Sequence, residues 1–320
     1  MPEAMPEAQI ADKPADNPFA AGAAFVDGAY LPVHEARLPL LDWGFIKSDC
    51  TYDVVGVWAG RFFRLNDHLE RFHASMARLH LTCPHGRDDI AAILHHCVRL
   101  AGLRESYVEM ITTRGLAPAG SRDPRDCENR FYALAIPYVW MVQPERQKVG
   151  VDLTVASVLR IPPESLDPRV KNFHWGDMVA GLFEAYGRGG ETAVLLDRDG
   201  NVTEGPGFNV FALIDGRLRT PERGVLEGIT RRTVIELAEA AGWPVEVATL
   251  PAADLARAEE VFLTSTAGGV MPVARIDGRP VGDGRPGPVT GELRELYWAA
   301  HEDPNYTTPV DYESPVAAAG

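Results

Sequence analysis

The sequence predicts an α+β fold in two domains, and three observations carry that prediction. A chain of 320 residues, 46% of them apolar, exceeds the roughly 250 to 300 residues at which a single hydrophobic core stops growing. Short apolar runs break at Asp-Gly and Ala-Gly pairs, the mark of hairpins, and alternate with segments whose apolar residues recur at helical spacing. A polar stretch containing Pro144, MVQPERQKVG, separates two such groups.

Residues 1–18, MPEAMPEAQIADKPADNP, repeat MPEA and have no periodic apolar positions, which predicts a mobile arm. The first domain is expected over 19–137. AAFVDGAYLPV supplies two strands around Asp27-Gly28, and TYDVVGVWAGRFFRL a hairpin pivoting on Ala59-Gly60. Asn66 is a candidate helix cap. Leu69, Phe72, Met76 and Leu79 then form one apolar stripe that packs on the hairpins. A second helix over 88–100 ends near Gly102. The strands SYVEMITTR and NRFYALAIPYVW flank the polar loop GLAPAGSRDPRDCE.

The linker is expected over 138–150 and the second domain over 151–320. That domain opens with the strand VDLTVASV, the turn RIPPESLDPR and Lys171. A helix over 174–186 follows, then strands through TAVLLDRDGNVTEGPGFNVFALIDGRLRTP, broken at Asp199-Gly200 and Asp215-Gly216. GITRRTVIELAEAAG is a helix between Gly228 and Gly242, PVEVATL a strand, and EEVFLTSTAGGV a strand entering a glycine turn. A last helix covers 289–298, and the tail beyond Pro304 is expected to be irregular. There is no solenoid repeat.

The net charge of −14 opposes a general electrostatic grip on nucleic acid or an anionic membrane and favours a small-molecule ligand. Cys50, Cys83, Cys97 and Cys127 form no CxxC pair, and the chain opens without a basic, apolar leader. A reducing cytoplasm is therefore expected. No apolar run approaches the roughly 20 residues of a membrane span. His95 and His96 point about 100° apart on a helix and cannot easily share a compact site, so no metal is expected. GxSxG, GxGxxG and P-loop motifs are absent.

Lys171 is one of four lysines among 31 basic residues. An amine can lose its proton and attack a carbonyl, which a guanidinium cannot. Val170, Phe173 and Trp175 can desolvate it and lower its pKa, or Lys171 is a surface lysine with its stem on apolar neighbours. Gly228, Ile229 and Thr230 open a helix whose free N–H groups suit a phosphate, or simply an ordinary capped helix. TSTAGG (264–269) offers hydroxyls and close backbone approach, or a plain turn. Glu204 is either a buried partner for a protonated ring nitrogen or a solvated turn acid. Arg71, off the apolar stripe, reads by itself as a solvent-facing charge.

The order RVKNFHWGD, VTEGPGFNVF, TPERGVLEGITRRTV, FLTSTAGGVMPV resembles that of the fold type IV pyridoxal-phosphate enzymes. These include branched-chain and D-amino-acid aminotransferases and aminodeoxychorismate lyase. RLPLLDWGFIKSDCTYDVVGVWAGRFFRLNDHLERF and the PYVW junction resemble the (R)-selective amine transaminases in particular, over residues 17–312. The resemblance implies a smaller N-terminal α+β domain, a larger C-terminal α/β pseudo-barrel domain, and pyridoxal 5′-phosphate between them.

By the same resemblance, Lys171 is the Schiff-base lysine and moves a proton between the substrate carbon and C4′ of the cofactor. Glu204 pairs with the pyridine nitrogen. Arg71, Ile229, Thr230 and Thr266 hold the phosphate, Leu226 lies against the ring, and Phe208 and Asn209 are nearby. Tyr52, Val54, Tyr107, Trp175 and Ala267 line pockets suited to an aryl or alkyl amine. Related amine transaminases carry an arginine that can reach a keto-acid carboxylate; this chain has Gly120 at that position, with Arg122 close by. Lys47 stands where close relatives commonly have histidine. The implied activity is ping-pong transamination from an (R)-amine to a keto acid such as pyruvate, in a homodimer. D-amino-acid or branched-chain aminotransferase and lyase activities lie within the same resemblance.

Overall fold

Asp-Gly and Ala-Gly turns do fold the N-terminal strands back on themselves in the computed structural model, which describes residues 17–313. Residues 1–16 of the expected arm lie outside the described residues. β1 (Ala23–Val26) and β2 (Ala29–Pro32) form the first hairpin. A short helix not expected from the sequence, α1 (Trp43–Lys47), starts at Asp42, whose carboxylate accepts from the Gly44 N–H at 2.8 Å. β3 (Cys50–Trp58) and β4 (Arg61–Phe63) are the second hairpin.

α2 (Leu65–Arg78) begins before Asn66, so Asn66 is not its cap. Arg64 holds that position in a left-handed conformation (φ 54°), and its guanidinium is fixed by Asp67, Thr233 and Glu236. Burial of Leu65 in the first core draws the helix start forward. α3 (Arg87–Ala101) ends at Gly102 as expected. β5 (Ser106–Leu116) and β6 (Glu128–Pro137) complete the first group of strands. Both helices lie over one face of this sheet, sealing a core that includes Val55, Phe62, Phe72, Leu94 and Val108.

The polar stretch after β6 contains a short helix, α4 (Pro144–Gln147), with proline at its start where a missing N–H costs nothing. β7 (Val151–Leu159), α5 (Gly176–Gly187) and β8 (Thr192–Leu196) then form a parallel crossover. α5 starts later than the expected residue 174, because Asn172 folds the chain into a turn by accepting from the His174 N–H at 2.9 Å. β9 (Asn209–Ile214), β10 (Arg217–Thr220), α6 (Ile229–Ala240) and β11 (Val245–Val247) follow. After the short α7 (Ala252–Leu255) come β12 (Glu260–Ser265), β13 (Gly269–Ile276), β14 (Arg279–Pro280) and α8 (Pro288–Ala299).

The second sheet runs β11-β10-β9-β12-β13-β7-β8, with β14 on β13. Its central strands are buried on both faces and carry unbroken apolar runs, VFL in β12 and VFALI in β9. The tail departs from expectation. Residues 307–309 form β15 (Thr307–Pro309), which pairs antiparallel with β4 and makes the first sheet seven strands, β15-β4-β3-β5-β6-β1-β2. β4 would otherwise be an unpaired edge, and β15 satisfies its backbone. Tyr312 extends this return by donating to the Leu103 carbonyl at 2.6 Å. Two sheets with separate helical cover make the α+β architecture the sequence predicts. Among the described residues, no helix is long and apolar enough to cross a membrane, no three His, Cys, Asp or Glu side chains are grouped to hold a metal, and all four cysteines are free.

Candidate active site

Lys171 follows the turn after β7, and its backbone is pinned to the first sheet. Its carbonyl accepts from the Tyr52 N–H at 3.1 Å and from the Thr51 hydroxyl at 2.7 Å. The ammonium lies 4.5 Å from the Tyr52 ring centroid, and that ring stacks on Phe173 at 4.1 Å. Both sheets thus border one cleft, with Lys171 on its wall. Desolvation, joined by repulsion from Arg71, pulls the Lys171 ammonium down from the ordinary lysine value of 10.5 to about 8; Asp53, Glu109 and Glu204 oppose the shift.

Only the neutral amine is a nucleophile. Covalent capture of an aldehyde by cofactor-free protein should therefore be slow below about 8, where the ammonium dominates, and rise as pH passes that value. Borohydride trapping of pyridoxal 5′-phosphate across a pH series reads this midpoint. A midpoint near 10.5, the ordinary lysine value, would contradict the desolvated environment.

Glu204 is buried and lines the same cleft. One carboxylate oxygen accepts from Arg160 at 3.1 Å (Nη2) and 3.3 Å (Nε); the other accepts from the Leu226 N–H at 2.7 Å. Arg160 also donates to Asp177 at 2.7 Å. Burial pushes the Glu204 carboxyl above its usual range, while Arg160, the Leu226 N–H and Lys171 pull it back. Gly205 lets the chain make this approach: a Cβ there would meet the Phe208 ring at 2.2 Å and the Ala193 carbonyl at 2.3 Å.

The part of the cleft beside the start of α6 is rich in donors. α6 begins at Gly228 with no side chain capping it, which leaves its first N–H groups and the positive end of its dipole for an anion. Asn209 holds the preceding turn by donating to the Leu226 carbonyl at 2.9 Å. Thr230, Thr264, Ser265, Thr266 and Arg71 line the same cleft. The Thr264 hydroxyl is buried with no hydrogen-bond partner among the described residues and so is open to a ligand or a water in the cleft. An amine, a buried carboxylate and an anion-binding end in one cleft fit the amine-reactive aldehyde, basic ring nitrogen and phosphate of pyridoxal 5′-phosphate.

Lys171, Arg71, Glu204, Phe208, Asn209, Leu226, Ile229, Thr230 and Thr266 all line the cleft, as do Tyr52, Val54, Tyr107, Trp175 and Ala267. Arg122 does not: it is exposed on the loop between β5 and β6 and does not border the cleft. Lys47 is also outside, with its ammonium 2.9 Å from the Trp43 ring centroid. Four further charges escaped the sequence reading. Asp53, fully buried, holds Arg71; Arg160 and Asp177 brace Glu204; and Glu109 shares a face of β5 with Tyr107, burial pushing its carboxyl up to about 7. Asp53 left a trace, since a charge within the apolar run TYDVVGVW needs a buried partner. Arg160, in a proline-rich turn, left none.

Residues 51–276 match the family Amino-transferase class IV. A putative branched-chain-amino-acid aminotransferase of Methanocaldococcus jannaschii is 31% identical over 276 residues, covering 85% of this chain and 94% of the relative. A D-alanine aminotransferase of Listeria monocytogenes is 32% identical over 274 residues, covering 82% and 90%. Among solved structures, the branched-chain amino acid aminotransferase of Thermobaculum terrenum in its PLP-bound holo form superposes with a TM-score of 0.81 at 28% identity, covering 90% of this chain and 98% of that one. With the family matched across most of both sheets, and the cleft residues inside that span, the chain belongs to the class IV amino-transferases and has their fold type IV architecture.

Proposed function

We propose that the protein is a pyridoxal 5′-phosphate-dependent transaminase that moves an amino group from an (R)-configured primary amine to a keto acid such as pyruvate, as a cytoplasmic homodimer. One observation carries the amine reading. The side of the cleft near Lys171 is lined by Tyr52, Val54, Tyr107 and Trp175, and the cleft's two guanidinium groups are both engaged, Arg71 by Asp53 and Arg160 by Glu204 and Asp177. With Arg71 given over to the phosphate and Arg160 to Glu204 and Asp177, neither of the two guanidinium groups lining the cleft among the described residues is left to recognise a donor's carboxylate. Glu109, close enough to Lys171 for each to shift the other's pKa, adds a group that repels one when ionised.

When bound, the cofactor supplies an electron sink for the charge left at the substrate carbon. Lys171 would hold its aldehyde carbon covalently until the amine takes that place. A neutral Lys171 amine would accept the proton from the substrate carbon and would deliver it at C4′. Glu204, braced by Arg160, keeps the ring nitrogen protonated. The α6 start, Thr230, Thr266 and Arg71 would hold the phosphate, and the Tyr52 ring, stacked on Phe173, lies against the lysine. The net exchange would leave a ketone from the amine and an amino acid from the keto acid, water entering in one half-reaction and leaving in the other.

The relatives' names favour a second reading, in which the donor is a D- or branched-chain amino acid. The two readings part in one assay. With pyruvate, purified enzyme should consume (R)-1-phenylethylamine roughly 10²-fold faster than its mirror image, the scale of discrimination a misfitted apolar pocket supplies. Equal rates for the two hands, or preference for D-alanine or for L-leucine with 2-oxoglutarate, would select the amino-acid reading.

A further inference from the structure

Arg71 reaches the cleft with a pose that another residue has set. His68 and Arg71 are three residues apart on α2 and so share the helix face that looks onto β3. There they meet Asp53, which is fully buried. Its Oδ2 accepts from Arg71 Nε at 2.8 Å and its Oδ1 from Arg71 Nη2 at 2.8 Å, a two-point grip on one edge of the guanidinium. The same Oδ1 is held by His68 Nδ1 at 2.8 Å and by the Val54 N–H at 2.8 Å. Arg71 Nη1 lies off that edge and donates to the Glu227 carbonyl at 3.1 Å, beside the start of α6. A planar fork held on one edge has its remaining donors fixed in direction.

We propose that Asp53, itself held by His68, is the positioning residue of the phosphate site: it sets the guanidinium of Arg71 so that its free donors meet the cofactor phosphate. The inference rests on the phosphate lying at Arg71, as the reading above has it. Position and charge make opposite demands on Asp53. An ionised Asp53 cancels the charge of Arg71, so a purely electrostatic account requires that removing the carboxylate strengthen the hold on a phosphate dianion. Positioning requires the reverse, because an untethered arginine must give up rotamer freedom to bind. The remaining hold comes from oriented donors at the α6 start and from the threonine hydroxyls.

The test follows cofactor release from holoenzyme, by dialysis against a trapping protein, with the phosphorus NMR resonance of the bound cofactor as a second readout. Asp53→Asn should release cofactor about tenfold faster or more, the effect of losing hydrogen bonds to a charged group, and should move the phosphorus resonance. Arg71→Lys should do the same. The double variant should be no worse than Arg71→Lys alone, because Asp53 acts through that arginine. His68→Gln, which loosens the tether without removing the carboxylate, should speed release by a smaller factor and do nothing further in the Arg71→Lys background; it carries the test if Asp53→Asn fails to fold.

Release from Asp53→Asn that is unchanged or slower overturns the positioning role, as do losses that multiply in the double variant. Should His68→Gln release cofactor at the parent rate, the tether is overturned as well. A normal Arg71→Lys enzyme would overturn the phosphate site itself, and that outcome is distinct from an impaired Arg71→Lys beside a normal Asp53→Asn.

Discussion

Lys171→Ala is expected to abolish transamination, lowering turnover by on the order of 10⁴-fold or more, since it removes both the nucleophile and the proton carrier. The fold should survive. The substitution shortens a half-buried side chain on the cleft wall, and the backbone contacts that pin this segment to β3 run through the Lys171 carbonyl, which alanine keeps. Borohydride treatment of the parent enzyme followed by peptide mass analysis should place the cofactor on Lys171, and the variant should retain none covalently. Turnover at a parental rate by Lys171→Ala would remove the assignment, whereas unchanged circular dichroism with no turnover supports it.

Glu204→Gln should lower turnover by ~10²-fold, a loss comparable to removing one preorganised electrostatic group from an active site. Glutamine's single amide oxygen can keep the contact to Arg160, which also keeps Asp177 at 2.7 Å, and only the Leu226 N–H loses its acceptor. The protein should therefore fold, with a neutral partner in place of the carboxylate opposite the ring nitrogen. Glu204→Ala, by contrast, strips Arg160 of one of its two buried partners, and breaking a buried pair this way costs about 3 kcal/mol or more of stability. Steady-state kinetics beside thermal unfolding separates the two effects. A Glu204→Gln enzyme with parental turnover would contradict a chemical role for this carboxylate.

Much of the site was legible as residue types in order. A lysine among arginines, an acid before a glycine bend, a glycine at a helix start and a run of hydroxyls each mark a local backbone or side-chain property, and local properties are written in consecutive residues. What local sequence could not give was the partner of each charge. Arg71 reads by its helix position as solvent-facing, yet its edge is taken by Asp53, 18 positions away. Glu204 lies 44 positions from Arg160. Arg122 shows the converse: proximity in sequence to an expected position put it among the site residues, while the loop that carries it lies away from the cleft of this chain.

By itself, the sequence determined where strands turn, which helix faces are apolar and which chemical groups are present, because these depend on φ preferences and on spacing along a few residues. Tertiary structure alone decided that the tail returns to β4, that α2 starts at Leu65, that Asp53 stands behind Arg71 and that Arg160 meets Glu204. An open strand edge and a buried charge each require a partner, and sequence shows the need without showing which distant segment the fold brings to meet it.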